Sequence, residues 1–356
     1  MSTFNTERFK ELVAYAIKGA GFNKLFELST YIGIKVENNI LYLNTTDGTN
    51  YVMVSDKCNA DDMDITVNAE LFSKLIGKIN SDTVDMSVTE NSLVITGNGK
   101  YTLEIVPDEN GNQLSFPDKF PKELTEIGKI SAVDLIAIQT SVGPSLSTVA
   151  GAVYTNYYVG DIVAGTDKAM VSVFNRNIFD KPYLLNKQFI DLLSSGNADV
   201  TVSTSDKLLV GEAHITDDCS IKVCTFIQDN VSEFGIDAIK KFSALEANSF
   251  CRFKKTDMLD LLDRISLFVS KFDDGAITLH FTEDSIEVQS LSNAGVERVD
   301  ITEFKNAEDL TIKININRLR SQLKAYNSDM VDMYYGSNIC IKLIDGDMTQ
   351  IIALMK

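Results

Sequence analysis

Asn68-Ala69-Glu70-Leu71-Phe72-Ser73-Lys74-Leu75-Ile76 reads as a short helix, and residues 83–88, 93–95 and 101–105 after it alternate as three strands. The same order returns twice. Asn186-Lys187-Gln188-Phe189-Ile190-Asp191-Leu192-Leu193 is followed by strand patterns at 199–202, 208–210 and 220–223. Asn317-Arg318-Leu319-Arg320-Ser321-Gln322-Leu323 is followed by 330–334, 339–341 and 350–354. Phe72, Phe189 and Leu319 are the apolar anchors of the three copies. A repeat of domain size fixes architecture before any single residue does.

A related half-unit precedes each copy. Phe9, Leu12, Val13, Ala16 and Ile17 form an i, i+3, i+4, i+7, i+8 stripe, with strands expected at 32–36, 40–43 and 51–54. Val133, Leu135, Ile136 and Ile138 mark a second helix, with strands at 152–158, 161–164 and 169–173. Met258, Leu261, Leu262, Ile265 and Val269 mark the third, with strands at 276–281, 285–289 and 296–301. The spacing therefore predicts an α+β chain of three tandem domains, 1–122, 123–245 and 246–356, each made of two helix-plus-strand halves. Pro107, Pro117 and Pro121 with Asn110-Gly111-Asn112 read as the first linker, and the polar stretch 229–247 with Gly235 reads as the second.

Composition narrows the function. Of 356 residues, 44% are hydrophobic and 23% charged, which describes a folded chain. Fifty acidic against 33 basic residues give a net charge of −17, contrary to a protein that grips nucleic acid or anionic membranes by bulk attraction. The five cysteines form no C-x-x-C pair, so neither a disulfide scaffold nor a cysteine zinc site is expected. His214 and His280 lie in alternating strand patterns and read as surface residues. No phosphate-loop, dinucleotide or nucleophile-elbow motif occurs. Asp61-Asp62-Met63-Asp64, Asp273-Asp274-Gly275 and Asp345-Gly346-Asp347 read as turns. No catalytic set, cofactor or metal site is expected. The start, with Glu7 and Glu11, is not a signal peptide, and no apolar run reaches the roughly 18 residues of a membrane span, so a cytoplasmic protein is expected.

Charge is not evenly spread. The six predicted helices, 6–18, 69–80, 131–143, 186–196, 254–271 and 315–326, hold thirteen Lys and Arg against eight Asp and Glu, while the remainder holds 20 against 42. The last helix, with Arg318, Arg320 and Lys324 and no acid, is the most one-sided.

These features together resemble the bacterial DNA polymerase III β subunit, the sliding-clamp family, over nearly the whole chain. Phe116-Pro117-Asp118 is similar to that family's Phe-Pro segment between domains one and two. Gly151-Ala152-Val153-Tyr154-Thr155 is similar to the strand opening its second domain. Gly165-Thr166-Asp167 is similar to its Ala-Thr-Asp-Gly-His-Arg-Leu motif, with Lys168-Ala169-Met170-Val171 in place of the last four. Ile351-Ile352-Ala353-Leu354-Met355-Lys356 is similar to its closing Val-Val-Met-Pro-Met-Arg-Leu, one residue shorter. The divergence suggests a virus- or mobile-element-encoded member.

The resemblance implies a head-to-tail homodimer closed into a ring, with sheets outside and helices inside. It implies a processivity factor that encircles duplex DNA without sequence preference and tethers a replicative polymerase. An ATP-driven clamp loader would place it, with partners docking through short linear peptides. The DNA-facing residues it implies are Arg8, Lys10, Lys18, Lys24, Lys74, Lys78, Lys187, Lys254, Lys255, Arg264, Lys271, Arg318, Arg320 and Lys324. The peptide pocket would take Val149, Thr166, Val171, Ile351, Ala353, Leu354 and Met355. The dimer contact would join Lys100, Tyr101 and Leu103 to Leu267, Phe268, Glu297 and Asp300. The competing reading is a β-rich, repeat-built viral structural or interaction protein that encircles nothing.

Overall fold

The structure, a computed structural model, describes residues 2–306, 309–336 and 339–356, with the side chain of Lys271 also left out. Among the described residues the repeat is sixfold, and each copy is one strand, one helix and three further strands. The helices of the six copies are α1 (Thr6–Ile17), α2 (Ala69–Lys78), α3 (Ala132–Ala137), α4 (Lys187–Ser194), α6 (Lys255–Ile265) and α7 (Ile316–Ala325); α5 (Ile236–Ala244) lies between the fourth and fifth copies.

The leading strands are an addition to the sequence expectation. They are Ser2–Asn5, Met63–Asn68, Thr125–Ile130, Tyr183–Asn186, Ser249–Lys254 and Leu310–Asn315. Most run into the helix through a capping side chain. Asn5 accepts from the Arg8 N–H, Asn68 from the Leu71 N–H and Asn315 from the N–H groups of Asn317 and Arg318. Ser131 accepts from the Asp134 N–H before α3. Such a cap satisfies helix donors that have no intrahelical partner. It also corrects the repeat register. The third copy is capped by Asn315, not opened by Asn317. The residue four past the cap position is buried in every copy: Phe9, Phe72, Leu135, Ile190, Met258 and Leu319.

Four expected elements differ. The helix expected over 254–271 is α-helical only over Lys255–Ile265, then forms a 3-10 turn at Ser266–Phe268, and Val269 is extended. The helix expected over 131–143 is α-helical only to Ala137, then widens into a π turn at Ile138–Val142 and tightens into a 3-10 turn at Gly143–Ser145. Pro144 has no N–H to continue the ladder, and Ser141 Oγ donates to the Ala325 carbonyl instead. Residues 153–155, expected in a strand, form a 3-10 turn, and the strand starts at Asn156. The linker expected over 229–247 holds a 3-10 turn at Val231–Phe234, then Gly235 at φ 68°, then α5.

Contacts divide the chain into two compact units, Met1–Leu135 with Gln188–Ile227, and Ile136–Lys187 with Gln228–Lys356. The first holds an eight-stranded antiparallel sheet in the order Met63–Asn68, Tyr31–Glu37, Ile40–Thr46, Tyr51–Lys57, Cys219–Phe226, Leu208–His214, Val200–Ser205, Thr125–Ile130. Its seam joins distant sequence, Tyr51 opposite Cys224 through Asp56 opposite Cys219. A four-stranded sheet, Ser2–Asn5, Thr83–Val88, Ser92–Thr96, Lys100–Glu104, completes the unit. α1 and α2 pack through Phe9, stacked on Phe4 at 4.9 Å and edge-on to Phe72 at 6.1 Å. Phe116 lies against Gly33, where a β-carbon would stand 2.3 Å from Phe116 Cβ, so the Phe-Pro segment is strapped to the sheet.

The second unit holds one twelve-stranded sheet, which runs from Tyr183–Asn186 to Leu310–Asn315. Its seam pairs Met170–Phe174 with Met348–Ala353, Met170 opposite Ile352. α6 and α7 bury Met258, Leu261, Leu262, Leu319 and Leu323 in one cluster with Phe253, Phe281 and Tyr335. Among the described residues no helix is long and apolar enough to cross a membrane.

Candidate functional site

The expected DNA-facing cations fall into two groups. Most already have partners. Arg8 leaves α1 towards the sheet, its Nε 2.8 Å from Asp56 Oδ2 and its Nη1 3.3 Å from Glu11, and the Asp56 carboxylate pushes its pKa up. Lys10 lies 2.8 Å from Glu7, Lys74 2.5 Å from Glu70 and Lys254 3.4 Å from Asp257. Lys255 donates to the carbonyls of Tyr326 and Asn327 at 2.8 and 3.3 Å, just past α7. Arg320 pairs with Asp263, and Arg318 Nε is 3.7 Å from Asp167. Arg264 lies 2.6 Å from Glu297, a residue expected at the dimer edge. The pair's hydrogen bond raises the arginine's pKa and lowers that of the carboxyl.

Four of the others are exposed and stand apart from any described carboxylate. Lys18, Lys24, Lys78 and Lys324 have no acidic group within 4.0 Å among the described residues. Lys18 stands 5.7 Å from the centre of the Tyr15 ring. Lys187 is exposed at the start of α4. Lys271's side chain lies outside the described residues.

The expected peptide pocket coincides in part with an apolar cleft of about 240 Å³ in the second unit. Thr166, Val171, Ile351 and Ala353 line it; Val149, Leu354 and Met355 do not. Val149 sits 67% exposed on a preceding loop. The tail beyond Ala353 turns away: the Leu354 N–H donates to Ile339 and the Met355 N–H to Lys313, and Leu354 packs on the core beneath α6 and α7. The opposite wall is Phe234, Gly235, Ala238, Ile239 and Phe242, with Tyr154 and Ile339 also in the lining. That wall is α5 and the turn before it, the stretch expected to be a linker. The available signal was the 3-residue spacing of Ile236, Ile239 and Phe242.

Two contacts hold α5 in place. Lys342, 5% exposed, donates from Nζ to the carbonyls of Ser243, at 2.7 Å, and Leu245 at the helix's C-terminal end. Lys240 pairs with Asp161 at 2.5 Å. On the sheet side, a tight turn carries Thr166 to Met170. Thr166 Oγ1 donates to the Met170 carbonyl and accepts from the Lys168 N–H, and Asp167 Oδ1 accepts from the N–H groups of Ala169 and Met170. Lys168 takes φ 77° there, the left-handed region that favours glycine.

At the expected dimer edges, Lys100–Glu104 is the outer strand of the four-stranded sheet. Lys100 and Tyr101 are exposed on it, whereas Leu103 is 4% exposed and faces its own core. In the second unit Leu267 and Phe268 are exposed on the turn after α6, and Phe272, not among the expected residues, is 97% exposed. Glu297 and Asp300 lie on the strand Val296–Lys305.

No protein-family model matches the chain, and no curated protein matches it in sequence. Solved structures match it end to end. DNA polymerase III subunit β from Borrelia burgdorferi, in complex with a natural product, superposes with a TM-score of 0.83 at 16% identity, over 100% of this chain and 99% of its own. The β subunit of the DNA polymerase of Streptococcus pyogenes gives 0.83 at 16%, over 99% of each chain. The Bartonella birtlesii DnaN sliding clamp, bound to griselimycin, gives 0.84 at 16%, over 100% of this chain and 99% of its own. The fold is therefore that of the bacterial sliding clamp, from the first strand to the last.

Proposed function

We propose that the chain is a DNA sliding clamp, a non-enzymatic processivity factor that encircles duplex DNA and tethers a polymerase. The observation that carries this reading is the full-length agreement with sliding-clamp structures, all six strand-helix copies included. In it the chain has three clamp domains, 1–122, 123–245 and 246–356, and two chains meet head to tail. The edge strand with Lys100 and Tyr101 is one face of that contact; Leu267, Phe268 and Phe272 supply exposed apolar surface for the other. Lys18, Lys24, Lys78 and Lys324 face the DNA phosphates. So small a set of unpaired cations on the helices suits a ring that holds DNA by topology, because tight phosphate contact would oppose sliding. The cleft of the second unit takes short peptides from the polymerase and from the ATP-driven loader that opens the ring. The working compartment is the cytoplasm.

The test is retention on DNA. Loaded onto nicked circular duplex by a clamp loader, the protein is expected to stay bound and to leave once the circle is cut to a linear molecule. Loss independent of cutting, with assemblies far larger than twice the 39.4 kDa chain, would instead identify a repeat-built assembly protein.

A further inference from the structure

Resting on the cleft's role as a peptide site, we infer that Lys168 makes it select peptides carrying a carboxylate beside their apolar side chains. Among the described lining residues Lys168 is the one charged group; Phe234, Ile239, Phe242, Ile351 and Ala353 offer hydrocarbon. Lys168 is exposed and has no acidic partner within 4.0 Å among the described residues. Its neighbour Asp167 does not neutralise it, since that carboxylate is committed to two turn N–H groups and lies 3.7 Å from Arg318.

The lysine is also held in place. Thr166 and Asp167 fix the turn, and Nζ rests 5.2 Å from the centre of the Tyr154 ring, itself in the lining. An ammonium held over a ring at the edge of an apolar surface loses little freedom on pairing with an anion. The chain as a whole carries −17, so an acidic peptide gains nothing from its net charge, and at the cleft the one cation of the described lining discriminates. The selection expected for such a partly exposed pair is about fivefold.

The experiment selects a phage-displayed library of random nonapeptides on the full chain and on Lys168→Glu. Enriched peptides are then measured by fluorescence anisotropy against both proteins, Lys168→Gln and Phe242→Ala. The native chain is expected to enrich leucine or aromatic residues flanked by Asp or Glu. Lys168→Glu is expected to enrich Lys or Arg at the same place, and Lys168→Gln to lose the acidic preference. Apolar peptides without charge preference, weakened by Phe242→Ala but indifferent to Lys168, would overturn the charge selection and leave the peptide cleft standing. Peptides indifferent to Phe242→Ala, or no enrichment at all, would overturn both.

Discussion

At the scale of single residues, basic side chains that look alike in sequence divide by partner. Arg8 and Lys324 both lie on helices expected to face DNA, yet Arg8 is tied to Asp56, whose side chain is only 11% exposed, and Lys324 is bound to no acid among the described residues. Arg8→Gln is therefore expected to lower unfolding free energy by about 1–3 kcal/mol, because it strands a largely buried carboxylate, and to change DNA retention little. Lys324→Ala should do the reverse, as urea titration and circle-retention assays on both variants would register. Sequence could not separate the two residues: the Arg8 partner is 48 positions away, across a helix and two strands. Gly33 is a second case. A methyl group there meets Phe116, so Gly33→Ala is expected to cost about 1–3 kcal/mol by overpacking. Replacing Phe116 by glycine as well, which removes the Cβ that stands 2.3 Å from the new methyl, should recover part of that loss in a double-mutant cycle.

Elements show where pattern reading succeeds and where it stops. Helix anchors such as Phe72 and Leu319, and alternating runs such as 83–88, were legible because burial on one face imposes a period. The leading strands were not. Tyr183–Asn186 is four residues long and passes straight into α4, with no glycine or proline to mark the join. α5 was missed for a different reason. It has no counterpart elsewhere in the repeat, it is rich in charge, and Gly235 before it reads as a break. Its position depends on Lys342, a strand residue far along the chain. Lys342→Met is expected to leave the end carbonyls of α5 without their donor, speed hydrogen exchange over 236–244 and weaken peptide binding at the cleft. Burial also lowers the Lys342 pKa below 10.5. Between that lowered value and 10.5 the unfolded chain binds the additional proton, so stability rises with pH across this window, and Lys342→Met should remove that slope.

For the whole molecule the balance of charge and topology matters more than any contact. A chain of net −17 still keeps four cations without an acidic partner, Lys18, Lys24, Lys78 and Lys324, on or just beyond three of its helices. Replacing all four with alanine is expected to shorten residence on nicked circles and flatten its dependence on salt, while the solution mass stays at that of the native protein. The sheets carry a further consequence. Neither large sheet follows the sequence repeat: Cys219–Phe226 pairs with Tyr51–Lys57 at the centre of one, and Met348–Ala353 joins Met170–Phe174 to the strands of the third repeat in the other. During synthesis on the ribosome, Met170–Phe174 therefore waits with one edge open until nearly 180 further residues have emerged. An edge of Val171 and Val173 left open that long invites pairing with another nascent chain. The C-terminal strand thus serves as a late safeguard against aggregation, and premature termination before Met348 would expose that edge permanently.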